Sequence, residues 1–339
     1  MPAPRLPRIP VALVASVLFV VASPAAVHAT TTGDVGWTVQ TVDNDNGSGR
    51  GSFSYELDPG GTLTDAMRVV NTGTAALPLD VYAADAFTTA GGDIDLVTGG
   101  SPSTDAGLWV SVDAPQIVLQ PGEQTDIAFT ITVPADAAPG DHAAGLVTSL
   151  VSQDDNQTLA VDRRLGTRVN VRVTGALLPG AAVENVRTSF APSWNPFEAG
   201  TLVVDYTVRN AGNTRLTGAD TVSAAGPAGL LATVATAQRI PEIIPGSAVE
   251  VRRELQVVSL GWLSGRVELS PEAVGLGAGN IAPVAVAYSA GAVPWSLVIL
   301  LGIIAGGVVA AVLLVRSRRR IAGEPAVASA PSGAQGQQG

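Results

Sequence analysis

Two stretches decide the fold: Gly61 to Gly73, G-T-L-T-D-A-M-R-V-V-N-T-G, and Gly200 to Gly212, G-T-L-V-V-D-Y-T-V-R-N-A-G. They align without a gap at an offset of 139 residues and share the G-T-L start and the N-x-G end. Each is followed by a strand-like run broken by a Pro-Gly turn: Gln116 to Val133 around Pro121-Gly122, and Pro241 to Val258 around Pro245-Gly246. One plan written twice predicts two domains of similar topology. The Asn-x-Gly corners are expected to supply residues that tolerate positive φ.

The runs around these corners alternate. Ile127, Phe129, Ile131 and Val133 share one face of their run, as do Leu202, Val204, Tyr206 and Val208. Val249, Val251, Leu255 and Val257 continue the pattern, with Arg253 breaking it once. A period of two marks half-buried strands. Turn signals such as Pro59-Gly60-Gly61 and Pro139-Gly140 separate them. The expected class is all-β, with two tandem Ig-like β-sandwiches over 30–175 and 180–290 and a boundary near Gly175 to Gly180. Ile281 to Val293 is either the last strand or a stalk.

Trp295 to Val315 is a run of 21 residues without a charge, followed by Arg316, Arg318, Arg319 and Arg320. A bilayer core of roughly 30 Å needs about 20 apolar helical residues, and flanking arginines favour the cytoplasmic side. At the other end, Arg5 and Arg8 precede an apolar run from Val11 to Ala22, and Val27-His28-Ala29 suits signal cleavage. The expectation is a type I single-pass protein of the cell membrane: signal peptide 1–29, extracellular sandwiches, transmembrane helix 295–315, and a disordered cytoplasmic tail 316–339.

The chain has no cysteine, so each domain must fold by apolar burial alone. It has no lysine either; all 19 basic residues are arginine. Residues 30–294 hold 13 arginines against 28 acids, a net charge of −15, of which −13 falls in residues 34–175. Such a surface repels nucleic acid at long range. Without Cys or Lys, and with His142 the sole histidine past the leader, thiol-protease, HExxH, Walker-type and Schiff-base chemistry are excluded. Acids are plentiful enough that counting leaves a two-carboxylate glycosidase open.

Several groups invite a site. His142 follows a Pro-Gly turn beside Asp141, a catalytic or metal pair in principle and an ordinary strand start in the simpler account. Asp43-Asn44-Asp45-Asn46-Gly47-Ser48 has the oxygens of a calcium loop, but Gly47 takes a ligand position of the EF-hand register. Gly275-Leu276-Gly277-Ala278-Gly279 lacks the helix a nucleotide loop requires. No metal or cofactor is expected. Arg164, Arg168 and Arg172 fall four apart on one strand face, a guanidinium stripe suited either to carboxylates or phosphates of a ligand or to acids on neighbouring strands. Trp37 and Trp109, with Trp194 and Trp262, are candidate ligand contacts through ring stacking if exposed, with core packing as the favoured role for each.

The order of these pieces resembles the WxL-interacting protein family of Gram-positive cell surfaces, in an actinobacterial-type member. The matching pieces are Trp37, Phe53-Ser54-Tyr55, Val69-Val70-Asn71-Thr72-Gly73, Ala83-Ala84-Asp85-Ala86, Gly91-Gly92-Asp93-Ile94, Trp109, Leu119-Gln120-Pro121-Gly122-Glu123 and Pro139-Gly140-Asp141-His142-Ala143-Ala144-Gly145. The first domain is similar to that family's peptidoglycan-binding domain. The second is similar to its membrane-proximal domain through Asn210-Ala211-Gly212-Asn213-Thr214 and Pro245-Gly246. The resemblance implies a membrane-anchored, non-catalytic protein that contacts peptidoglycan or another wall polymer and docks secreted surface proteins. The absence of lysine departs from the family's usual lysine-rich tails. Two other classes are carried beside it: a carboxylate-based wall glycan hydrolase, and a PapD-like chaperone for secreted subunits, which needs an open cleft between the sandwiches.

Overall fold

The computed structural model describes residues 34–97, 101–153, 160–275 and 281–322. The expected signal peptide, most of the glycine-rich loop after Gly275 and the tail beyond Ala322 lie outside the described residues.

The first sandwich is built from β1 (Trp37–Thr41), β2 (Phe53–Leu57), β3 (Thr62–Asn71), β4 (Leu77–Thr88) and β5 (Ile94–Leu96), then a one-turn helix α1 (Ala106–Trp109). It continues with β6 (Val110–Val112), β7 (Gln116–Leu119), β8 (Gln124–Thr132), β9 (Gly140–Gln153) and β10 (Ala160–Val173). One sheet runs β1-β3-β8-β6 and the other β2-β10-β9-β4-β5, with β7 also on β4. The pairing of β2 with β10 is parallel. The alternation along the sequence sets which face is inside: Ile127, Phe129 and Ile131 of β8 are buried against Phe53, Val169 and Val171 of the facing sheet. Each such side chain contributes roughly 1.5–3 kcal/mol by leaving water.

The second sandwich comprises β11 (Ala181–Ala191), β12 (Gly200–Asn210), β13 (Leu216–Ala225), β14 (Thr233–Val234), β15 (Gln238–Ile243), β16 (Ala248–Val257), β17 (Gly261–Ala273) and β18 (Val284–Ala292). Its sheets are β11-β12-β16 and β14-β13-β17-β18, with β15 also on β13. Of the two roles open to the segment before the helix, strand or stalk, it takes the first, since β18 pairs with β17 from Val284 to Ala292. Arg253, the break in the β16 alternation, sits on the core face for a reason. Its Nε and Nη2 donate to the Asp220 carboxylate at 2.9 and 2.8 Å, and the Tyr206 hydroxyl donates to the same group. Asp220 is buried, and a buried carboxylate is tolerated only when paired in this way.

The two Asn-x-Gly corners coincide in structure, but not through positive φ. The left-handed residues belong instead to the Pro-Gly turns, Gly122 at φ 75° and Gly246 at φ 80°. Gly73 and Gly212 are required by close approach: a Cβ at Gly73 would lie 2.3 Å from the Asp34 carbonyl oxygen, and one at Gly212 would lie 2.4 Å from that of Leu178.

After β18, two residues lead into α2 (Trp295–Ala322). It is long and apolar enough to cross a membrane, and no part of its span is buried in the protein. Its first turn is tied to the second sandwich by Ser296 Oγ, which donates to the Ser193 carbonyl at 2.8 Å.

Candidate functional site

The outward face of the β9–β10 pair carries the arginine stripe, and there the second sandwich docks. Asp141 of β9 is buried and accepts two hydrogen bonds from Arg172 across the ladder, each at 2.7 Å. It also accepts the Arg215 backbone N–H at 2.7 Å from the second domain. Arg215 Nη1 reaches Glu242 at 2.9 Å, and the other Glu242 oxygen takes Arg168 Nη1 at 3.0 Å. The result is an alternating chain, Arg172–Asp141–Arg215–Glu242–Arg168, that crosses the domain junction twice. Hydrogen bonding to Asp141 outweighs burial and raises the Arg172 pKa further, so its charge is fixed.

Apolar contact lies beside the ion pairs: Ala86, Ala143 and Ile244 are buried together, flanked by Ile94 and Leu96. Thr88 Oγ1 donates to the Glu242 carbonyl at 3.1 Å and accepts the Ile244 N–H at 3.0 Å. Asn213 Nδ2 donates to the carbonyls of Pro139 and Ala176 at 2.8 and 2.9 Å. Gly140 has φ 133°, and a Cβ there would come within 2.3 Å of the Asn213 carbonyl oxygen, so glycine is needed where the domains touch. The junction thus combines a small apolar patch, paired charges and directed hydrogen bonds between the two sandwiches.

Of the stripe, Arg172 is thus buried and Arg168 half-engaged, while Arg164 lies clear of the junction and, among the described residues, pairs with its strand neighbour Asp162, at 3.2 Å. Arg164 and Arg168 line a groove of ≈ 410 Å³ together with Asp95, Leu96, Gly145 and Gly166. The Leu96 side chain packs over both glycines, 2.6 Å from where a Cβ at Gly145 would stand and 3.3 Å from one at Gly166, and two guanidiniums beside it suit a carboxylate or phosphate.

The tryptophans are placed differently. Trp37 is in the core, its Nε1 donating to Thr148 Oγ1 at 2.8 Å. Trp109 is half-buried, its ring 4.5 Å from that of His142. His142 is partnered by Asp105 rather than Asp141. Its Nδ1 is 2.8 Å from the Asp105 carboxylate and its Nε2 is 2.9 Å from the Ala138 carbonyl. Both ring nitrogens are therefore engaged, which suits an imidazolium pinning α1 to the start of β9. Burial lowers its pKa, but Asp105 and Ala138 together outweigh that and leave it raised.

The oxygen-rich loop after β1 is organised around an internal cation. Arg50 donates to Asp65 at 2.7 Å, to the Val42 carbonyl at 2.7 Å and to Asn44 Oδ1 at 3.3 Å. Tyr55 donates its hydroxyl to the same Asp65. Burial opposes the Asp65 charge, but Arg50, Tyr55 and Asn44 hold its carboxyl well below the usual carboxylate range. Among the described residues, no three His, Cys, Asp or Glu side chains gather as metal ligands.

Sequence reasoning missed the roles of Arg215 and Glu242, whose partners are distant in the chain. It also favoured core packing for Trp194 and Trp262, whereas Trp194 is 95 % and Trp262 53 % exposed, and it passed over Phe197, 84 % exposed beside Trp194 between β11 and β12. The signal for Trp194 and Phe197 was two aromatics in the turn-rich S-W-N-P-F.

The fold and surfaces define a protein of two tandem Ig-like sandwiches ending in one helix able to span a membrane. No protein-family model matches the chain, and no curated protein does. Solved structures do. A chaperone–tip adhesin complex of CFA/I fimbriae matches at 10% identity and TM-score 0.37, covering 74% of this chain and 98% of that one. The YadV chaperone matches at 12% and 0.36, covering 75% and 98%. The CupB2 chaperone of Pseudomonas aeruginosa matches at 12% and 0.29, covering 72% and 98%. At such identities the function of those proteins does not transfer.

Proposed function

We propose that this chain is a type I surface protein of the cell membrane, belonging with the WxL-interacting proteins, whose work is binding and not turnover. α2 fixes the carboxy end, with its arginines on the cytoplasmic side. The second sandwich is the spacer, and the junction holds the first sandwich at a set angle, facing the cell wall. The observation that carries this reading is the groove of the first sandwich lined by Arg164 and Arg168. Peptidoglycan or another wall polymer bearing carboxylates or phosphates fits it, and the resemblance in residues 37–145 favours that ligand class.

A second reading, docking of a secreted protein subunit, rests on a different surface. β2 pairs only with Val169–Val173 of β10, so Arg163 to Arg168 have β9 on one side and no strand ladder on the other among the described residues. An extended segment can join such an edge through main-chain hydrogen bonds. A subunit chaperone needs an open cleft between the sandwiches, and the ion pairs fill the junction around Asp141 itself. On another flank of the junction a groove of ≈ 690 Å³ stays open, lined in part by Ala90, Asn185, Arg187 and Arg252.

The test is co-sedimentation of the detergent-solubilised full chain with purified cell wall. Sedimentation without released sugar, lost in Arg164→Glu, supports wall binding. Released sugar identifies a hydrolase. A chain that stays in the supernatant removes the wall half of the proposal. Arg164→Glu is preferred to Arg168→Glu because it leaves the junction intact.

A further inference from the structure

The end of the second sandwich from which α2 leaves is apolar and nearly without charge. Four connections meet there, as the registers fix: Ala191 lies opposite Thr201, Gly200 opposite Val257, Ala225 opposite Ser264, and Gly261 opposite Ala292. The connecting segments are 192–199, 226–232, 258–260 and 293–294, and Glu198 is their single charged residue. They expose Trp194, Phe197, Leu230, Leu231 and Leu260, with Trp262 just inside β17. An exposed apolar patch of this kind marks a contact with a partner or a membrane.

The position of α2 decides between them. Only Val293 and Pro294 separate β18 from the helix, and the Ser296–Ser193 hydrogen bond ties its first turn to the 192–199 loop. The sandwich therefore cannot stand off from the bilayer on a linker. The uncharged run from Trp295 to Val315 has 21 residues. At about 1.5 Å each it matches the roughly 30 Å hydrocarbon core, with Arg316 and Arg318 beyond it on the far side. Trp295 then lies at the boundary of the headgroup layer, and the loop bonded to the first turn lies beside it. Tryptophan favours that layer.

We propose that this end of the second sandwich is a membrane-seated surface, with Trp194, Phe197, Leu231 and Leu260 entering the headgroup layer of the adjacent leaflet. The ligand is the lipid interface itself. With no arginine in the four segments, the contact rests on apolar burial and is insensitive to headgroup charge. It fixes the tilt of both sandwiches, since the junction couples the first to the second. The proposal depends on α2 crossing the bilayer.

The absence of native cysteine allows a direct test. Phe197→Cys, Leu231→Cys, Val308→Cys within α2, and Val118→Cys on the exposed flank of the first sandwich are each spin-labelled in the full chain. They are reconstituted in phosphatidylcholine vesicles, and accessibility to oxygen and to a water-soluble nickel chelate is measured. The expected result is loss of nickel accessibility at 197 and 231, relative to 118, unchanged when anionic lipid is added. Labels at 197 and 231 as nickel-accessible as the one at 118, with 308 protected, overturn the proposal while leaving the span intact. Nickel access at 308 overturns both.

Discussion

Asn71 and Asn210 make the same set of hydrogen bonds in the two sandwiches. Each Nδ2 donates to the carbonyl four residues on, Ala75 or Thr214, at 2.8 Å. It also donates across to a neighbouring strand, to Leu119 at 3.0 Å or Ile243 at 2.8 Å. Each Oδ1 accepts the N–H of the glycine two residues on, at 2.9 or 3.0 Å. Each backbone N–H donates to the residue after the Pro-Gly turn, Glu123 at 2.9 Å or Ser247 at 3.0 Å. The repeat is thus a repeated corner, in which one buried amide closes three segments.

Asn71→Ala and Asn210→Ala should destabilise their own domains by similar amounts, about 2–4 kcal/mol, because buried carbonyls lose their donor. Urea unfolding followed domain by domain checks this. A large loss in one sandwich and none in the other would end the structural equivalence.

Asp141→Asn leaves Arg172 and Arg215 beside a neutral partner in a buried junction. Loss of one member of such a network costs on the order of 3–5 kcal/mol. The expected outcome is lower stability together with faster proteolysis in the 174–180 linker. Arg164→Glu, outside the network, should leave linker cleavage unchanged.

Arg253→Leu restores the β16 alternation yet should destabilise the second sandwich, since Asp220 keeps only Tyr206. Pairing it with Asp220→Leu should recover much of the loss, because an apolar replacement of both charges removes the stranded carboxylate. A double-mutant cycle by denaturation reads the coupling; additivity would contradict it.

His142 should show in the pH dependence of stability. Its folded pKa is raised above the ordinary value of 6.5. The stabilisation is therefore complete below about pH 6.5 and is lost as the pH rises through the folded pKa. His142→Gln should flatten that decline. Proton NMR of the imidazole gives the pKa directly, and a value below 6.5 would reverse the sign. Asp65 behaves oppositely: its depressed pKa contributes stability above the ordinary carboxylate value, lost only as the pH falls toward the folded one.

The strands were legible because a period of two records which side of each strand is wet, and β8, β12 and β16 bury the residues the alternation selects. α2 was legible because a soluble core has no use for so long an apolar run without a polar face. The corner was legible in place but not in cause: Asn-x-Gly looks like turn chemistry, whereas Gly73 and Gly212 answer to neighbouring carbonyls. The arginine stripe was legible as a stripe. What it meets was not, because Glu242 lies 74 residues beyond Arg168 and no local pattern links them. The exposure of Trp194 and Phe197 was not legible either, because alternation says nothing about connections.

The central claim is tested most directly by photo-crosslinking on intact cells, with a photoreactive residue in place of Asp95, which lines the same groove as Arg164. The account predicts adducts with wall polymer, released by a muramidase, or with a secreted surface protein. Adducts confined to cytosolic proteins, or adducts unchanged in Arg164→Glu, would contradict it.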